Sequence, residues 1–182
     1  REREAAPYQG GICFTMTPLL NQLSLYQSAH SFLEPDGDPA ALTRAFYRRL
    51  FGVEGEKLTE LLPLFEIMPD WGNYNKIDLP REAYHERMRT GADLLRSFEG
   101  RENMNMPFHP RPDQYRKDLL FFFELFADLS DSSPDFDAIK ERYWQRVYAI
   151  YDQLPQHVDP RPRGATEGLV QFFADHWKAA QP

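Results

Sequence analysis

Between Tyr26 and Gly52 the chain reads YQSAHSFLEPDGDPAALTRAFYRRLFG, and this run constrains the fold more than any other. Apolar residues recur at helical spacing up to Leu33. Glu34-Pro35-Asp36-Gly37 cannot continue a helix, because proline lacks an N–H and aspartate and glycine favour turns. Asp38 stands where a cap is needed, and Pro39 occupies the first helical position, where its missing N–H costs nothing. Leu42, Ala45, Phe46, Arg49 and Leu50 follow, and Gly52 stops the second helix.

The same cap-then-proline grammar recurs along the chain. Thr17-Pro18 opens the first helix, which carries Leu19, Leu20, Leu23, Tyr26, Gln27, His30 and Leu33. A third helix spans Glu54 to Ile67, disturbed by Pro63. Pro80 opens a fourth that ends near Gly100, with Tyr84, Met88, Ala92, Leu95 and Phe98 on one face. Pro112 opens a fifth, with Tyr115, Leu119, Phe122, Phe123, Phe126 and Leu129. Ser133-Pro134 caps and opens a sixth, with Phe136, Ile139, Tyr143, Val147, Ile150 and Leu154. Thr166 caps a seventh, with Leu169, Phe172, Phe173, His176 and Trp177.

Only Gly10 to Thr17 reads as extended, since Ile12, Phe14 and Met16 alternate with Cys13, Thr15 and Thr17. The expectation is an all-α bundle of about seven helices. A short extended segment occupies 1–17 and a single helical domain occupies 18–182. Short connections between amphipathic helices favour a packed bundle over a solenoid. A length of 182 residues suits one such core.

Charge and motifs narrow the functional classes. Twenty-one basic against 28 acidic residues give a net charge of −7, which disfavours nucleic acid and anionic membrane surfaces as partners. The basic clusters Arg44, Arg48, Arg49 and Arg111, Arg116, Lys117 are short, have acids nearby and read as solvated helix faces. No apolar run is long enough to span a bilayer, and no signal peptide is present. The compartment stays open. One cysteine, Cys13, allows no internal disulfide and reads as a buried, inert thiol.

No histidine pair has zinc spacing, and His85-Glu86 lacks a second histidine in its turn. His30 and His176 read as hydrogen-bonded core or boundary residues rather than ligands. No nucleophile elbow or phosphate loop is present, so neither a metal nor a cofactor is expected. Acidic pairs are too common here to mark glycosidase carboxylates, which must be held about 5–10 Å apart across a bond.

The loop Asp70-Trp71-Gly72-Asn73-Tyr74-Asn75-Lys76 is the strongest functional patch. Its rings can stack on sugar C–H faces while its amides and carboxylate bond hydroxyls. Structurally, Trp71 could equally plug the end of the bundle while the asparagines make turns. Asn103-Met104-Asn105-Met106, with Phe108 and His109, is a weaker patch, and its methionines have a rival structural reading as gap-fillers.

Gly11 to Gly52 resembles the region after the last barrel strand in bacterial TIM-barrel glycoside hydrolases, the α-glucuronidase-like enzymes and related families. The shared features are Asn21 and Tyr26, Pro35 and Asp38, and Phe46-Tyr47 with Phe51-Gly52. The resemblance covers under a quarter of the chain. It implies that Ile12 to Met16 is a final barrel strand, with Thr15, Thr17 and Asn21 near a sugar. The catalytic carboxylates would lie on an upstream barrel domain, and Arg1 would begin the tail of a larger protein. The helical part would be a non-catalytic C-terminal domain that supports a sugar-binding cleft or forms a homodimer contact. The alternative is a helical protein–protein interaction or scaffold domain, which predicts an exposed apolar groove. An independent small-molecule enzyme is the remaining class. The carbohydrate reading names Asp70, Trp71, Asn73, Tyr74, Asn75, Asn21 and Thr17 as contacts. It predicts that Trp71→Ala weakens glycan binding in a calorimetric titration, and an unchanged affinity would eliminate Trp71 as a contact.

Overall fold

A computed structural model describes residues 22–33, 36–68, 77–106, 111–151 and 171–176. In chain order come α1 (Gln22–Leu33), α2 (Pro39–Phe51), a 3-10 helix (Val53–Leu61), α3 (Leu62–Phe65), α4 (Arg81–Arg96), α5 (Pro112–Leu129) and α6 (Phe136–Tyr151). Residues 171–176 are also helical, and there is no strand among the described residues. The fold is all-α, as the spacing of caps and apolar residues requires. The extended segment 1–17, the Thr17-Pro18 start, Leu154 and the Thr166 cap lie outside the described residues.

The α2 boundaries form for the reasons visible in the sequence. Asp38 is extended at φ −70°, ψ 115°, and its carboxylate accepts from the amides of Ala40 (2.9 Å) and Ala41 (3.1 Å). Gly52 ends the helix at φ 75°, in the left-handed region. A Cβ there would meet nothing within 4 Å, so backbone conformation rather than space favours glycine.

Two boundaries differ from expectation. The single third helix resolves into a 3-10 run and one α-helical turn. Pro63 sits in that turn and has no N–H to return to the preceding turn, so a continuous α ladder breaks there. The sixth helix starts at Phe136, not Pro134. Its cap is Asp135, which accepts from Ala138 N at 3.0 Å, while Asp131 accepts from Ser133 N at 3.0 Å. A carboxylate beside the positive helix N-terminus is favoured over the expected serine hydroxyl.

The chain divides into two compact units, one of Arg1–Glu60 with Leu95–Leu119, the other of Leu61–Leu94 with Leu120–Pro182. In the first, α1 packs on α2. The Tyr26 ring lies 5.3 Å from Phe46, and Gln27 Nε2 donates to Thr43 Oγ1 at 2.8 Å. Phe46 meets Tyr115 edge-on at 5.7 Å, and Phe51 meets Phe98 at 5.8 Å. Such offset ring pairs add about 0.5–1.5 kcal/mol beyond their burial. Gly55 lets the 3-10 helix press on α2, because a Cβ there would stand 2.4 Å from the Tyr47 carbonyl oxygen.

In the second unit, Phe173 bridges α4 and α5, at 5.9 Å from Tyr84 and 5.7 Å from Phe126. Phe123 lies 5.7 Å from Phe65 and occupies the space that Gly91 leaves open; a Cβ at 91 would approach its ring to 2.4 Å. The buried α4 residues Tyr84, Met88 and Ala92 of this unit match the predicted face, as do Leu95 and Phe98 in the first.

Asp38→Ala should lower stability by about 1 kcal/mol through loss of the cap. Gly55→Ala should cost more, about 1–3 kcal/mol, because backbone must move. Urea midpoints of the two variants check both the sizes and the order.

Candidate functional site

The predicted contacts Asp70, Trp71, Asn73, Tyr74, Asn75, Asn21 and Thr17 lie outside the described residues, as do Phe108 and His109 of the second patch. Asn103 is described, and its role is structural. Its amide N–H donates to Leu50 O at 2.7 Å and its Nδ2 to Arg49 O at 3.2 Å. Both carbonyls belong to the last turn of α2, where no intrahelical donor remains. Asn103 therefore closes the end of that helix from a distant segment.

The two residues before Asn103 are pinned as well. Arg101 pairs with Glu54 at 3.5 Å and lies over the Phe98 ring at 5.6 Å. Glu102 accepts from Arg116 Nε at 2.5 Å. Val53 adjoins Glu54, and Met104 adjoins Asn103, so each is one residue from a contact joining the two segments. Both are exposed, at 67% and 48%. Two large apolar side chains thus stand at the α2 end of a well-anchored frame.

Arg116 corrects the solvated-face reading of its cluster. Its side chain is 3% exposed and that of Glu102 5%, with Glu99 at 3.8 Å as a second, exposed carboxylate. The neighbouring cations follow the expected pattern. Arg111 and Lys117 both pair with Asp113, at 3.1 and 3.5 Å, and the Arg111 contact holds the Asp113 carboxyl below its ordinary range. Arg44 pairs with Asp38 and Arg48 with Glu56. The signal that separates Arg116 was its register: it precedes Leu119 by three and Phe123 by seven, on the apolar stripe of α5.

Two further buried polar side chains of the first unit have partners. Thr43 Oγ1 donates to Pro39 O at 2.8 Å, and Gln114 Nε2 donates to the buried Asp118 at 2.9 Å. Tyr47 and Tyr115 are both buried deep in the unit. Burial drives both phenols well above the ordinary tyrosine range, and the contact with Tyr115 only partly offsets this for Tyr47.

In the second unit, polar side chains close the C-terminal end of α5. Ser130 Oγ reaches the Phe126 and Ala127 carbonyls at 2.7 and 2.9 Å. His85 Nδ1 donates to Ala127 O at 2.8 Å. Arg81 Nε donates to Ser130 O at 3.2 Å, and its Nη2 donates to Asp131 O. A cation is favoured at this negative helix end. His176 Nε2 donates to Ile77 O at 3.0 Å and rests 5.1 Å from the Phe172 ring, and His30 packs 4.4 Å from Tyr26. All three histidines serve as boundary residues. Among the described residues, no group of three His, Cys, Asp or Glu could hold a metal ion.

The described residues of the glycoside-hydrolase resemblance all have folding roles. Tyr26 packs on Phe46, Asp38 caps α2, Phe46, Tyr47 and Phe51 are buried, and Gly52 takes the left-handed stop. No protein-family model, no curated protein and no solved structure matches the chain.

Two outcomes follow from these buried groups. The phenols of Tyr47, Tyr84 and Tyr115 are raised in the folded state, so the unfolded chain ionises first. Their contribution is complete below the ordinary tyrosine value of about 10 and is lost as pH rises beyond it. Tyrosinate absorbance should show these three of the nine tyrosines titrating only with alkaline unfolding. Separately, Arg116→Met should cost about 3–5 kcal/mol, because it strands Glu102 in the interior. Adding Glu102→Leu should recover most of that loss, as measured in a denaturant double-mutant cycle.

Proposed function

We propose that this chain is a helical docking module that binds a protein partner at the α2 end of its first unit. The observation that carries the reading is the exposed pair Val53 and Met104 on a frame fixed by Asn103, Arg101–Glu54 and Arg116–Glu102. Isolated exposed apolar residues are ordinary, but these two flank segments whose backbones are tied together, so a partner need not order that backbone on binding.

A second reading makes the chain a non-catalytic C-terminal domain of a carbohydrate-active enzyme, supporting a sugar-binding cleft. The composition of Asp70 to Asn75 favours it, with Trp71 and Tyr74 faces beside amides and a carboxylate. The two readings place the contact on different residues, so one experiment separates them.

A photo-crosslinking residue placed at 53, 104 or the exposed control position Thr90, in the full chain in its native cells, provides the test. Positions 53 and 104 should give the same discrete protein adduct, and position 90 should not. Equal labelling at all three positions, or none at 53 and 104, would overturn the docking assignment.

A further inference from the structure

We draw no further inference here: the strongest candidate, the exposed Val53 and Met104 patch beside the C-terminal end of α2, belongs to the docking surface already described, and nothing in the structure shows what covers it.

Discussion

Helix α5 buries most of its length, with Lys117 its exposed position, and the elements packed on it answer to that constraint. Leu125, Phe126 and Ala127 are consecutive and all buried, so the burial here is wider than a single apolar stripe. Burial also takes polar groups out of water, and each must find a partner inside the protein. Arg116 takes Glu102, Asp118 takes Gln114, the final carbonyls take Ser130 and His85, and Arg81 bonds the carbonyls just past the helix.

Much of the remaining architecture supplies those partners. The turn after α4 must return as Arg101–Glu102–Asn103 because a buried guanidinium needs a carboxylate. From the same segment, Asn103 closes the end of α2 and Arg101 bridges to Glu54. The first turns of α4 place Arg81 and His85 four residues apart, on one face, over the end of α5. The chemistry-bearing side chains described in both units therefore act first as folding groups. The same holds for Tyr26, Asp38, Phe46 and Gly52, residues that carry the resemblance to the tails of barrel hydrolases. A cap, a core ring and a glycine stop suit any helical pair of this kind.

The helices were legible in the sequence where local chemistry decides. Asp38-Pro39, Gly52 and Pro112 mark boundaries through φ limits and orphan amides, which act within a few residues. The α4 face from Tyr84 to Phe98 was legible because its spacing stays near the helical period. The failures share a cause in competition between neighbours. Asp135 displaced Ser133 as a cap, and Pro63 broke a predicted continuous α-helix into a 3-10 run and one α turn. Arg116 was misread because its charge type suggested solvent while its register pointed inward. Asn103 was noted for its composition, but its partners at Arg49 and Leu50 are more than fifty residues away. No local pattern encodes such a contact.

The account rests on α5 as the element whose burial organises its neighbours within each unit, and native-state hydrogen exchange tests that directly. The amides from Leu119 to Leu129 should exchange only through global unfolding, with opening free energies equal to the stability measured by denaturant. If those amides open locally at clearly lower free energy while α2 or α4 stays protected, α5 is not the organising core and the account fails.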